Sequence, residues 1–346
     1  MAPVPTPLEL VPRPLAGSVD ELLEGARRRG EARTADARSN ALFEQVEVDG
    51  EPCMVKYVHV DLDYLMRANG DVGCLPRRVW EAGLMDVAPD LIDHATLGAA
   101  PWGRHGWGVA LLMRDVSASL VRPGDDPLSE EEHAALVDGC AGFCARTWGW
   151  RDDIGLLPRG RRWAMFGTAA IEGEEQLGFL EPVPRIAAEG WETFARRAPA
   201  DVAAAIDDLR GDVTPLSDAL ATTPSCFLHG DWKLGNLGLG ADGRTVLLDW
   251  AYPGEGPAAH ELAWHLALNR ARIPAGQAKE EVAAAFRAAL ERHGVDTTGW
   301  WERQLGLCLL GAVVQFGWEK ALGEGSEGEA ELGWWTDAAR TGLRYL

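Results

Sequence analysis

Apolar positions follow two regimes along the 346 residues. Up to about residue 116 they alternate with polar positions or run in short blocks bounded by turn residues, as strands do. From about residue 117 they recur every three or four positions, as in helices packed by one face. In the first regime ALFEQVEV (41–48) and PCMVKYVHV (52–60) read as two strands, with Asp49-Gly50 as a hairpin turn signal near their junction. WGVALLMRDV (107–116) reads as a buried strand that runs out into a polar connection. Two helices are predicted here as well: SVDELLEGARRRG (18–30), capped by Ser18, and PRRVWEAGL (76–84), with Pro76 in its first turn. The proline-rich residues 1–16 are expected to lie as an extended arm.

In the second regime Ser129 and Glu132 have capping-box spacing, ahead of an apolar face of Leu136, Cys140, Phe143 and Cys144. Further helices are predicted at 187–198, 200–209, 258–270, 277–293, 300–321 and 330–345. GEGSEGEAELG (323–333) reads as a flexible acidic connection. No internal repeat is visible. The pattern therefore gives an α+β chain: a small strand-rich N-terminal lobe over 1–113 and a larger helical lobe over 114–346. One isolated hairpin lies inside the helical part.

That hairpin carries chemistry. In FLHGDWKLGNLGLGADGRTVLLDW (227–250), Asp242-Gly243 is a favoured two-residue turn. Counting outward from it, Leu239 faces Val246, Leu237 faces Leu248, and Asn236 faces Asp249. Paired side chains of this kind lie roughly 5 Å apart. An amide oxygen and a carboxylate at that spacing suit Mg²⁺, a hard ion that takes oxygen ligands and shares them with phosphate. Asp231, five residues before Asn236, is placed to accept the proton of a substrate hydroxyl. Lys233 reaches the same space and can neutralise charge on a transferred phosphoryl group.

Composition narrows the classes. With 33 Lys and Arg against 53 Asp and Glu, the formal net charge is −20. Nucleic acid and anionic membrane surfaces need a basic footprint, so neither is an expected partner. No stretch has the apolar length of a membrane span, and the N-terminus lacks the pattern of a secretory signal, so a cytoplasmic protein is expected. The six cysteines form no CxxC pair, and reduced buried thiols without a metal are expected. Nothing in the pattern fixes an oligomeric state.

The segment His229-Gly230-Asp231, Asn236 and Asp249-Trp250 resembles the aminoglycoside phosphotransferase and choline kinase family, whose fold is similar to that of protein kinases. The resemblance implies a two-lobed protein-kinase-like architecture. It implies Asp231 as catalytic base, Asn236 and Asp249 as Mg²⁺ ligands and His229 as a brace of the loop. Lys233 departs from the antibiotic kinases, which more often have His there. Glu261, in HELAW, stands where the family usually has Asp and is expected to brace the catalytic loop.

The same resemblance asks the small lobe for a lysine that pairs with phosphate, and Lys56 in the strand CMVKYVHV suits that task. Its acidic partner is expected to be Glu81 or Asp71. A phosphate-covering loop would fall in RTADARSN, without a G-x-G-x-x-G motif, leaving Ser39 and backbone N–H groups to do the work. The hinge falls at LLMRDV, with the Arg114 carbonyl and the Val116 N–H as adenine contacts. The expected cofactors are ATP or GTP and Mg²⁺. The expected partner is a small hydroxylated acceptor: an aminoglycoside or other antibiotic, or a sugar or amino alcohol. Trp264, Trp318, Glu319, Trp334 and Trp335 are candidates for its walls. A nucleotide-binding pseudokinase is the alternative from another class, though a pure binder has no need of Asp231.

Overall fold

In the computed structural model, residues 8, 10–32, 41–179, 182–269 and 272–346 are described. A five-stranded antiparallel sheet forms the N-terminal part, in the order β1-β2-β3-β6-β5. Its strands are β1 (Arg27–Ala32), β2 (Leu42–Val48), β3 (Glu51–Val58), β5 (Thr96–Trp102) and β6 (Gly108–Arg114). The β2–β3 hairpin turns at Asp49 and Gly50, both at positive φ (51° and 86°). That is the conformation a two-residue turn between twisted strands requires.

The helix expected over 18–30 stops early. Ser18 does cap it, accepting the Glu21 N–H, but α1 spans only Val19–Leu22. Residues 27–32 join the sheet as β1 instead, bulging between Arg28 and Gly30. Glu44 and Glu47 on β2 form ion pairs with Arg28 and Arg29. Cross-strand charge pairing overrides a weak local helical period.

Two short helices follow β3, α2 (Tyr64–Asn69) and α3 (Leu75–Glu81). A two-residue strand, β4 (Ile92–Asp93), then precedes β5 and β6. The rest is mainly helical: α4 (Glu130–Arg146), α5 (Arg159–Ala164), α6 (Thr168–Leu177), α7 (Pro182–Arg197), α8 (Ala200–Gly211) and α9 (Thr214–Ala221). Then come α10 (Ala259–Leu268), α11 (Lys279–Arg292), α12 (Trp301–Ala321) and α13 (Gly325–Gly342). Ser129 caps α4 by accepting the Glu132 N–H. Among the described residues no helix is long and apolar enough to cross a membrane.

Short strands hold the catalytic segment between these helices: β7 (Cys226–Leu228), β8 (Leu237–Leu239), β9 (Thr245–Leu247) and β10 (Gly254–Gly256). β4 pairs in parallel with β9, tying the segment before β5 to the hairpin.

The acidic connection expected at 323–333 is helical. α13 begins at Gly325, and Leu332, Trp335 and Ala339 form its buried stripe. Gly342 lies against the Gly306 backbone of α12 and Gly328 against Gly323. Within the stretch it is Gly328 that permits a close backbone approach, to Gly323.

Candidate active site

The loop after β7 is shaped by its own residues. Gly230 adopts φ +84°, and a Cβ there would collide with the Tyr252 carbonyl oxygen and the Arg162 guanidinium. Its N–H donates to the Glu261 carboxylate at 2.8 Å, so Glu261 does brace the loop from α10. Burial pushes the Glu261 carboxyl up to about 8. His229 is fully buried, edge-on to Trp250 with ring centroids 4.7 Å apart, and its Nδ1 accepts the Asp231 N–H at 3.2 Å. Burial pushes this imidazole down to about 3, so it is neutral and its place is structural. Gly230→Ala is expected to lower stability by about 2–4 kcal/mol, combining a positive-φ penalty with overpacking. A thermal melt measures this, and a wild-type Tm would contradict the close approach to Tyr252.

Asp231 is 1% exposed and accepts three hydrogen bonds. Trp264 Nε1 donates to Oδ1 at 2.8 Å, Asn236 Nδ2 to Oδ2 at 2.8 Å, and Lys233 Nζ lies 3.0 Å from Oδ2. Burial raises its pKa, against the pull of Lys233. Since the Asn236 amide nitrogen is spent on Asp231, the amide oxygen is the atom left for a cation.

The hairpin register differs from the expected one by a single residue. Leu237 pairs with Leu247 and Leu239 with Thr245. The turn is a three-residue loop, Ala241–Gly243, closed by Gly240 N–H to Arg244 O at 2.9 Å, with Gly243 at φ 84°. That left-handed glycine is how three-residue hairpins close. Asn236 is therefore opposite Leu248, whose N–H donates to the Asn236 carbonyl at 2.9 Å. Asp249 lies one position further on and is not the cross-strand partner of Asn236. Its backbone is left-handed at φ 65°, and its carboxylate forms an ion pair with Lys56 at 2.6 Å. Burial would raise this carboxyl, but Lys56 and then Lys233 outweigh it and hold it below its ordinary range. A non-glycine residue in this conformation marks a position where the backbone accepts strain.

Lys56 comes from β3 and Asp249 from the segment after β9, so their pair spans a cleft. Val58, Pro76, His94, Thr96, Leu111, Met113 and Trp250 line it with them. Neither acid expected beside Lys56 is there. Glu81 pairs with Arg77 on its own helix at 3.3 Å. Asp71 caps α3, accepting the Leu75 N–H at 2.9 Å. With α3 offering no carboxylate, Asp249 takes the lysine. Asp63 was missed by sequence reasoning. It caps α2 through the Leu65 and Met66 N–H groups and lies within electrostatic reach of both Asp249 and Lys56. The visible signal is a helix-cap aspartate just before YLMRAN.

Arg114 ends β6, and its guanidinium is paired with Asp93. Val116 follows at the start of the connection to the helices. Ser39 lies outside the described residues. Of the candidate acceptor walls, Trp264 is in the site. Trp318 packs on Phe166, and Glu319 pairs with Lys320. Trp334 donates to Glu280 on α11 and Trp335 to Glu331 on its own helix.

The Phosphotransferase enzyme family matches this sequence over residues 80–296. No curated protein matches it. Among solved structures, choline kinase LicA from Streptococcus pneumoniae is similar with a TM-score of 0.54 and 11% identity, covering 93% of this chain and 96% of that one. LicA in complex with AMP gives a TM-score of 0.52 and 13% identity, over 93% and 94%. Spectinomycin phosphotransferase, in complex with ADP and spectinomycin, gives 0.45 and 14% identity, over 93% of each chain. At these identities the LicA likeness shows the fold, a kinase-like pairing of an antiparallel sheet with a helical part.

Proposed function

The chain belongs to the phosphotransferase enzyme family, and from that premise we propose that it transfers the terminal phosphoryl group of ATP or GTP, as a Mg²⁺ complex, to a hydroxyl of a small acceptor. The observation that carries the proposal is one constellation across the cleft. Asp231 and Lys233 are 3.0 Å apart, and the Asn236 amide is held by Asp231. The Lys56–Asp249 pair stands on the nucleotide side.

In this proposal Asp231 orients the acceptor hydroxyl and takes its proton. Lys233 neutralises charge on the phosphoryl group in flight. Lys56 turns from Asp249 to the nucleotide phosphates, and the Arg114 carbonyl and Val116 N–H hold the base. The Asn236 amide oxygen and the Asp249 carboxylate are hard oxygen donors and fit Mg²⁺. When bound, that ion would offset phosphate charge, with Asn236 and Asp249 as the residues that hold it. Phosphoryl transfer has a loose transition state, so placement of these groups supplies most of the catalysis.

For the acceptor, aminoglycosides and other antibiotics, amino alcohols and sugars are the classes to test. Trp264 brings an indole to the base itself, and Tyr252 and Phe316 pack on it at 5.7 Å and 5.0 Å. All three rings are buried, so they hold the Trp264 indole against Asp231 rather than offering a face to an acceptor. The test is a panel of amino alcohols, aminoglycosides, other antibiotics and sugars with Mg²⁺-nucleotide, read by nucleoside diphosphate release and product mass. A phosphorylated hydroxyl-bearing product is expected from at least one of them. Nucleotide binding without any phosphorylated product would favour a pseudokinase.

A further inference from the structure

We propose that His265 and Asn269, at the C-terminal end of α10, are positioning residues that fix the backbone on both sides of Lys233. Asn269 Oδ1 accepts the Leu234 N–H at 3.0 Å, while its Nδ2 donates back to the His265 carbonyl at 2.8 Å. His265 Nδ1 stands 3.3 Å from the Trp232 carbonyl oxygen. The residue before Lys233 is thus held through its C=O and the residue after it through its N–H. Lys233 itself bonds Asp231, and the turn that begins at Leu234 carries Asn236. A shift of this short stretch would move both the cation and a proposed metal ligand.

A second layer sets the imidazole. His133, on α4, places its Nε2 3.2 Å from His265 Nε2, and both rings are buried. Two ring nitrogens at that distance share one proton. His265 Nδ1 also stands 3.2 Å from Asn269 Nδ2, so it lies between a carbonyl acceptor and an amide donor. Neither ring has a charged partner among the described residues. Burial pushes His265 down to about 3 and lowers His133 as well, which keeps each ring neutral. The contacts therefore run from α4 through α10 to the catalytic loop.

The inference rests on the phosphotransferase reading for its catalytic consequence, but not for the restraint of the loop. The experiment keeps the two apart. Full-length His265→Ala, Asn269→Ala and His265→Asn are compared with wild type by amide hydrogen exchange over residues 229–236 and by steady-state hydrolysis of Mg²⁺-ATP in water. His265→Asn keeps a side-chain N–H donor near the position of Nδ1. In both alanine variants, exchange is expected to rise and kcat to fall, each on the order of tenfold for a lost hydrogen bond. KM for ATP should stay within about threefold of wild type, because nucleotide contacts are untouched. His265→Asn should restore both readouts. Asn269, at the helix end, is the variant to rely on if His265→Ala fails to fold. Wild-type exchange and kcat in Asn269→Ala would overturn the proposal, as would His265→Asn behaving like the folded alanine variant. If wild type hydrolyses no ATP in water, the exchange comparison alone decides whether the loop is held in this way, and the phosphotransferase reading is decided separately by the acceptor panel.

Discussion

Asp249→Asn is expected to lower phosphoryl transfer by about 10²- to 10³-fold, the usual loss when one electrostatic contact to the reacting phosphates is removed. Asn is the informative substitution because it tolerates left-handed backbone, and Asp249 has φ 65°. It keeps the shape and removes the charge that both Lys56 and a divalent cation need. Nucleotide affinity should become nearly independent of Mg²⁺, measured by calorimetry with and without the ion. Unchanged turnover would remove Asp249 from the proposed metal site.

Asp249→Ala is a different experiment. It strands Lys56, whose side chain is 9% exposed, without the carboxylate it pairs with. Breaking a buried pair costs about 3–5 kcal/mol. The Asp249 side chain is 27% exposed, which reduces this cost. Solvent at the cleft brings the expected loss to about 1–3 kcal/mol. The carboxyl is held below its ordinary value, so the pair's contribution is complete above the unfolded aspartate range. It is lost as pH falls through the folded value. Normal melting of the alanine variant is therefore not expected.

How far the site can be read from sequence depends on whether a contact is local. Asp231, Lys233 and Asn236 lie within six residues of one another, and their mutual hydrogen bonds follow from that spacing. Glu261 was legible as a loop brace by resemblance, and its bond to the Gly230 N–H has the expected form. The hairpin was legible as a hairpin, but its register was not. Ala241-Asp242-Gly243 can close as a two- or a three-residue loop, and the choice is made by packing around β8 and β9. Lys56 was legible as a lysine on a buried strand. Its partner was not, because pairing depends on where α3 comes to rest, and Glu81 turns along its own helix to Arg77. His265 and Asn269 gave no signal at all. An imidazole and an amide at the end of an apolar helix look like ordinary core and cap residues until the catalytic loop is laid beside them. The arginine run at 27–29 misled for the opposite reason. Its local pattern is helical, and the glutamates that draw it into the sheet are on another strand.

Asp231→Asn is expected to reduce transfer by about 10²- to 10⁴-fold, the range for loss of a general base. The hydrogen bonds around Asp231 make the outcome more specific than loss of charge. A carboxylate accepts at both oxygens, from Trp264 on one and from Asn236 and Lys233 on the other. An amide accepts at only one. If its oxygen stays toward Asn236 and Lys233, its NH₂ confronts the Trp264 N–H, and one buried donor is left unmatched. The other orientation sets two amide NH₂ groups face to face and releases Asn236 from its place. Trp264→Phe removes the competing donor, so in the double variant the first orientation is free of conflict. Stability lost in Asp231→Asn should then be partly recovered, while turnover stays low because the base is still missing. Burial also raises the Asp231 pKa. Because the reaction uses the ionised form, the rate of wild type should fall on acidification at a pH above the ordinary aspartate value. That acid limb should be absent from the residual activity of Asp231→Asn. Melting curves, product formation by mass spectrometry and a pH–rate profile for both variants supply the measurements. A double variant that regains turnover along with stability would show that Asp231 acts by holding Asn236 and Trp264 in place, and not by taking the proton.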